Sequence, residues 1–195
     1  MKFDVIIIGS GQAGMQVAAA LQRSGRKTAV IGLGRSINEV EVKPYEQLGG
    51  TLLIGDSVTG GIFDGDRLQA VRTANLGAYP LEADDFVIAT GKFLGRGLVA
   101  DMDGIYEPLF GLDVDYDPDR SHWFDADFGA CQPFLRFGVR TDAQSRPSVG
   151  GRTVTNLYAC GELLAGVSAV EGRDAIAGSA ARVIGQLKPS DHAEA

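Results

Sequence analysis

A doubly wound α/β fold is predicted by three adjoining features at the start of the chain. The first is the β-branched run Lys2-Phe3-Asp4-Val5-Ile6-Ile7-Ile8, the pattern of a central parallel strand buried on both faces. The second is the glycine-spaced loop Gly9-Ser10-Gly11-Gln12-Ala13-Gly14 that follows it directly. The third is the change of period beyond Ala13, where Val17, Ala18 and Leu21 lie on one helical face before a second apolar run at Lys27–Ile31. Strand, glycine turn, helix and strand in that order make a right-handed βαβ unit.

The remaining elements follow from the same signals. Gly25 stands where a helix-ending glycine belongs. Gly32-Leu33-Gly34-Arg35-Ser36 reads as a loop, and the polar stretch to Gln47 has room for a turn or two of helix. Thr51–Ile54 is a third strand. Ser57–Phe63, Leu68–Ala74 and Ala78–Leu81 are short segments separated by Asp64-Gly65-Asp66 and Asn75-Leu76-Gly77, turn signals that predict an antiparallel β-meander. Asp85–Gly91 returns to the buried-strand pattern. From Lys92 to Pro147 aspartate, glycine and aromatics dominate and no period emerges. Asn156–Cys160 is a last buried strand, and Ile176, Ala180, Val183, Ile184 and Leu187 mark the apolar face of a final helix, with Asp174 as its N-cap.

A glycine triplet is a weak signal alone, but its context here is specific. Between strand and helix, the loop amides and the positive end of the helix dipole converge on one point, where a pyrophosphate is the expected occupant. Gly9 permits the turn, Gly11 leaves room for phosphate, and Gly14 lets helix and strand pack closely. The architecture expected is therefore a Rossmann-like doubly wound parallel sheet carrying an antiparallel β-meander. An acidic residue about 20 positions further on would ordinarily bind the ribose hydroxyls, yet the second strand ends in Ile31-Gly32. With Arg35 and Ser36 just beyond, that absence is also compatible with the 2′-phosphate of NADP, and Arg35 reads equally well as a solvated loop cation. The strand ending Cys160-Gly161-Glu162 tips the balance toward flavin. Its carboxylate suits a ribityl hydroxyl, and the following helix start suits negative charge on a flavin ring.

Composition narrows the function classes. Lysine and arginine number 18 against 25 acidic residues, for a net charge of −7, which gives no electrostatic footprint for nucleic acid. No apolar run reaches the roughly 20 residues of a membrane helix, so direct membrane insertion is not expected and a cytoplasmic location is. Cys131 and Cys160 have no partnering motif and read as reduced, small apolar residues in or near strands. Lys92, Arg96 and Arg173 are candidates for a small anionic substrate or partner subunit, although surface cations are the commoner reading. Ser121-His122-Trp123-Phe124 reads as core or interface.

The N-terminal loop, Phe86-Val87-Ile88-Ala89-Thr90-Gly91 and Asn156–Glu162 together resemble the FAD domain of the glutathione-reductase-like flavoproteins. Glu162 and Gly138-Val139-Arg140-Thr141-Asp142 resemble the fumarate-reductase branch. Leu48–Leu53, Gly97–Ala100, Glu107-Pro108-Leu109-Phe110-Gly111-Leu112-Asp113-Val114 and Gln132-Pro133 extend the likeness to the B-subunit family of anaerobic glycerol-3-phosphate dehydrogenase. That family tends to lack the acidic residue after its second strand, which weakens the NADP alternative. The resemblance implies FAD, with FMN as the alternative, and a link to oxidation of glycerol 3-phosphate to dihydroxyacetone phosphate with electrons passed toward a membrane quinone. A partner redox subunit, or self-association, and attachment at the inner membrane through that partner are implied with it.

Carried over residue by residue, Gly9, Ser10, Gly11, Gln12, Ala13 and Gly14 form the pyrophosphate loop. Gly32 and Arg35 follow at the end of the second strand. Val58 presents backbone to adenine, Thr90 and Gly91 line the cofactor, Gly161 and Glu162 meet its ribityl or phosphate side, and Asp174 and Ala175 sit by the flavin ring. No catalytic residue is implied. The chain departs from the family by crossing directly through residues 37 to 45, where relatives place a long segment. That shortening favours a second reading, a flavin-binding module without turnover of its own. One FAD-binding domain over residues 1–187 is expected, with the meander at about 57–82 inside it and a frayed tail over 188–195.

Overall fold

The computed structural model describes residues 2–34, 39–168, 170 and 173–188, with backbone alone for 39–41. Arg35, Ser36 and the tail from residue 189 lie outside the described residues. Strand β1, Lys2–Ile8, runs through the middle of the main sheet with Val5 to Ile8 buried. Helix α1, Gln12–Arg23, buries Ala13, Gly14, Met15, Val17, Ala18, Ala19 and Leu21; small side chains on this face let it lie close to the sheet. It closes as the sequence predicts. Gly25 takes φ +85°, its N–H donates to the Gln22 carbonyl, and the Arg26 N–H donates back to Leu21, a Schellman closure.

Strand β2, Thr28–Gly32, is buried along its length. The polar stretch beyond it holds a full nine-residue helix, α2, Glu39–Gln47, with Pro44 inside, longer than the turn or two that the sequence predicts. Tyr45 anchors it. The ring is fully buried, and its hydroxyl lies 2.9 Å from Thr28 Oγ1, 3.0 Å from the Thr28 carbonyl and 3.2 Å from that of Thr51. Burial pushes the phenol up to about 12. The chain then enters β3, Thr51–Ile54, parallel to β2.

Strands β4, Val58–Asp64, and β5, Arg67–Thr73, form the predicted hairpin about Gly65. The third meander strand is corrected. Residues 74–78 form turns and Pro80 precedes a single strand, β6, Leu81–Ile88, which merges the two segments expected at 78–81 and 85–91. Its burial changes along its length: Leu81 and Ala83 are buried between exposed Glu82 and Asp84, whereas Phe86, Val87 and Ile88 are all buried. Pairing explains the change. One edge of β6 follows β1 in parallel throughout. The other edge meets β5 antiparallel at Leu81 and Glu82, and then β7, Leu157–Ala159, in parallel at Phe86 to Ile88.

Asn156 fills the fork between β5 and β7. Its side-chain oxygen accepts from the Leu68 N–H at 2.9 Å, and its amide donates to the Leu68 and Asp84 carbonyls, each at 2.8 Å. The sheet order is thus β3-β2-β1-β6, with β5 and β4 continuing from one half of β6 and β7 from the other. The chain moves outward from β1 to β3 and then returns to the opposite side of β1, the reversal of a doubly wound sheet.

Between β6 and β7, and continuing just past Pro147, two-residue ribbons pair Val99–Ala100 with Ile105–Tyr106, Val114–Asp115 with Gly138–Val139, and Ser148–Val149 with Arg152–Thr153. The aspartates of this segment act on its backbone. Asp101, Asp117, Asp119, Asp125, Asp127 and Asp142 each accept from the amide two residues on, the local turn geometry of aspartate. Helix α3, Arg173–Leu187, packs on α1 through Ile176, Ser179, Ala180, Val183 and Leu187. It begins one residue before Asp174, so Asp174 lies in its first turn and is not its N-cap. No helix among the described residues is long and apolar enough to cross a membrane.

Candidate functional site

A cleft of about 1180 Å³ opens beyond the carboxyl ends of β1, β2, β6 and β7, on the sheet's reversal point, where open α/β sheets take ligands. It exceeds the roughly 300–1,000 Å³ of an ordinary small-molecule site, room enough for a dinucleotide-sized ligand. Gly9, Ser10, Gly11, Gln12 and Ala13 form one wall, with Gly32, Val58, Thr90, Gly91, Gly161 and Glu162 around them. The predicted residues are therefore largely brought together.

The loop is built from backbone fit. Gly9 takes φ +115°, and a methyl there would lie 2.3 Å from the Ala89 carbonyl oxygen, so β1 and β6 end in direct backbone contact. A methyl on Gly14 would lie 2.1 Å from the Gly9 carbonyl oxygen; Gly14 is buried behind the loop and does not reach the cleft. Gly11 differs, because a methyl there would meet nothing within 4 Å. Gly11 is also the N-cap of α1, with no side-chain cap and no acidic residue in the first turn. The first amides of α1 are thus left for a ligand, backed by the helix dipole.

Gly32 has a packing reason. A side chain there would lie 2.3 Å from Ser10 Oγ, which donates to the Gly34 carbonyl at 2.7 Å. The strand end has no room for the usual carboxylate, and its absence is no mark of a 2′-phosphate site.

On the far wall, Gly161 takes φ +79°, and its N–H donates to Ser179 Oγ at 2.9 Å, which donates in turn to the Ile176 carbonyl. The Gly161–Leu163 turn is thereby pinned between α1 and α3, with half-buried Glu162 lining the cleft. Asp174 and Ala175 are exposed and do not line it; Arg173 and Ile176 of the same turn do.

Sequence reasoning missed Asp56, Leu94, Gly95 and Leu109, which also line the cleft. Asp56 is buried and accepts from the Ser57 and Asn75 amides at 2.8 and 3.0 Å. Burial raises its pKa, but the Thr73 hydroxyl and these amides outweigh that and hold it below the ordinary carboxylate value. The Gly91, Gly95, Gly97 spacing was the available signal for the Gly91–Gly97 loop; Leu109 carried none.

Among the candidate cations, Arg96 and Arg173 line the cleft. Lys92 is neither surface nor cleft: it is buried and donates to the Leu135 carbonyl. His122, expected in core or interface, has its ring exposed and paired with Asp117 at 2.9 Å, while Trp123 beside it is buried. Cys160 is buried, its thiol pushed up to about 12 by that burial, whereas Cys131 is exposed, contrary to expectation.

The chain matches the family model described as FAD binding domain over residues 4–39 and 43–178. It belongs to this FAD-binding family. Two structural observations fit the FAD-binding domain to its cofactor: the uncapped start of α1 and the open space at Gly11.

The B subunit of anaerobic glycerol-3-phosphate dehydrogenase from Vibrio cholerae serotype O1 is 46% identical over 140 residues, covering 71% of this chain and 32% of the relative. The namesake subunit of Aliivibrio fischeri is 37% identical over 178 residues, covering 82% and 39%. The FAD-binding domain thus spans about a third of the length of the curated relatives it matches.

Two solved structures share the fold. Thioredoxin reductase of T. acidophilum superposes with a TM-score of 0.54 at 13% identity, over 96% of this chain and 98% of that one. The GidA-related protein from Thermus thermophilus gives 0.54 at 16% identity, over 95% and 97%.

Proposed function

We propose that this chain is the FAD-carrying part of an oxidoreductase that resembles the B subunit of anaerobic glycerol-3-phosphate dehydrogenase. The observation that carries this reading is the single cleft that joins the uncapped start of α1 to the pinned Gly161-Glu162 turn across the sheet's reversal point. In it the amides of Gly11, Gln12 and Ala13 hold the diphosphate, with Gly9 and Gly14 shaping the turn and Ser10 fixing the loop to Gly34. Gly32 and Val58 bound the adenosine side, where Arg35 is a further candidate.

Thr90 and Gly91 line the cofactor's path and let the backbone pass close, and Glu162 accepts from a ribityl hydroxyl. The start of α3, which reaches the cleft through Arg173 and Ile176, faces developing negative charge on the ring, whereas Asp174 and Ala175 lie outside the cleft and take no part. Bound there, FAD supplies two-electron oxidation and reduction. This chain's residues bind and orient it, and Ile8, Ile31 and Leu109 give it apolar walls. The substrate proposed is glycerol 3-phosphate, with electrons leaving through a partner subunit at the cytoplasmic membrane face.

A second reading, a flavin carrier without turnover of its own, is favoured by the short crossover from β2 to β3, in which α2 is the one element among the described residues. One experiment separates the two. The purified protein is expected to show flavin absorption, to release FAD on denaturation, and to bleach anaerobically on addition of glycerol 3-phosphate. Release of no flavin would sink both readings, and release of FMN would sink the first. Bleaching by dithionite but not by glycerol 3-phosphate would leave the carrier.

A further inference from the structure

The loop from Gly91 to Gly97 carries an arginine at a position built for glycine. Arg96 takes φ +59°, one of two non-glycine residues with positive φ among those described. Its N–H donates to the Phe93 carbonyl, and the Gly97 N–H donates back to the Lys92 carbonyl at 2.9 Å. These are the two bonds with which Gly25 closes α1, and glycine is the usual occupant because a side chain is strained there. The neighbours prevent relaxation: a methyl on Gly95 would lie 2.1 Å from the Thr90 carbonyl oxygen, and one on Gly97 would lie 1.9 Å from that of Gly91. Strain held in place by its surroundings, at the edge of a ligand cleft, points to a role for the side chain that bears it.

The surroundings say which role. Backbone contacts run without a break from the Gly9–Gly14 loop to Arg96: Gly9 packs on Ala89 and Thr90, and Gly95 and Gly97 pack on Thr90 and Gly91. The loop from 9 to 14 contains no cation, and the start of a helix supplies only about half a positive charge, whereas a diphosphate carries two negative ones. Arg96 lines the same cleft, and no carboxylate among the described residues pairs with it.

We propose that Arg96 is a cofactor-binding residue whose guanidinium supplies the counter-charge for the FAD diphosphate. The inference rests on FAD lying in this cleft, as argued above. Arg173 lines the cleft too, but from the regular backbone of α3, where no strain singles it out.

The test uses the purified chain stripped of flavin and three variants: Arg96→Gly, Arg96→Asn and Arg96→Lys. Glycine and asparagine accept positive φ without charge; lysine keeps charge without the planar fork. Three quantities are measured: FAD affinity at low and high salt, affinity for ADP and adenosine, and the melting temperature of the apo chain. R96G and R96N should bind FAD and ADP about ten-fold or more weakly, with a flatter salt dependence and unchanged affinity for adenosine. The R96G apo chain should melt at the wild-type temperature or up to about 3 °C above it. R96K should fall between wild type and R96N.

Wild-type affinity for FAD in R96G and R96N overturns the proposal. So does an equal loss for adenosine, or a loss of FAD matched by a lower apo melting temperature, since either marks Arg96 as structural. A wild-type chain that takes up no FAD removes the underlying reading, and the proposal with it.

Discussion

Gly9 and Gly11 stand two positions apart in one motif and meet opposite surroundings. A methyl at Gly9 presses on the Ala89 carbonyl and is strained at φ +115°, whereas at Gly11 it projects into open cleft at φ −72°. Gly9→Ala should therefore cost the apo chain about 3 kcal/mol, seen as a lower thermal midpoint. Gly11→Ala should leave that midpoint within about 1 °C of wild type while weakening FAD at least about ten-fold by filling the phosphate's space. Paired melts and FAD titrations check both. The sequence pattern marks both glycines without separating a packing role from a ligand role, because that difference lies in what each faces across the chain. Gly32 is ambiguous in sequence for the same reason: the side chain that excludes a carboxylate there belongs to Ser10, on another strand end.

Among the elements, β6 teaches most about legibility. Its two halves carry different burial patterns because two different strands share one of its edges, and the pattern alone suggests two strands. Asn156 holds that fork. Asn156→Ala would leave the Leu68 amide and carbonyl and the Asp84 carbonyl without their partner, and should cost about 3 kcal/mol, measurable as a lower urea midpoint.

The segment from 92 to 147 is opaque in sequence for a further reason. Its turns are held by carboxylates reaching neighbouring amides, which leaves no hydrophobic period. Asp113 is a long-range case, accepting from Ser148 Oγ at 2.7 Å and from the Gly150 and Gly151 amides at 2.9 and 2.8 Å. Burial raises its pKa, but these donors outweigh that and leave it below the ordinary 3.8. A lowered folded value adds stability above the unfolded one. The destabilisation from Asp113→Ala, about 1–2 kcal/mol at neutral pH, should therefore persist down to about pH 4 and shrink as pH falls through the lower folded value. Denaturation curves of variant and wild type across that range test the sign.

At the scale of the whole molecule, FAD and fold should be coupled by mass action. Free FAD at a hundred times its dissociation constant should stabilise the chain by about 2.7 kcal/mol and raise its melting temperature by about 5–10 °C; a melting temperature indifferent to FAD would contradict the assigned cleft. Strands β1, β2, β3 and β7 are legible in sequence because each carries a self-contained apolar run. α2 is legible only in part. It is polar on average and interrupted by Pro44, and its attachment through Tyr45 is a contact between distant residues that no local pattern announces.

The fork at Asn156 also bears on the order in which the chain can become a protein. Leu68 must wait for a residue 88 positions later to satisfy its amide, and Phe86 to Ile88 wait equally for β7. During synthesis β1 to β6 emerge first, with the most apolar part of β6 presenting an open edge. That edge stays open until β7 leaves the ribosome and closes it, and in the interval the nascent chain is most exposed to association with its own copies.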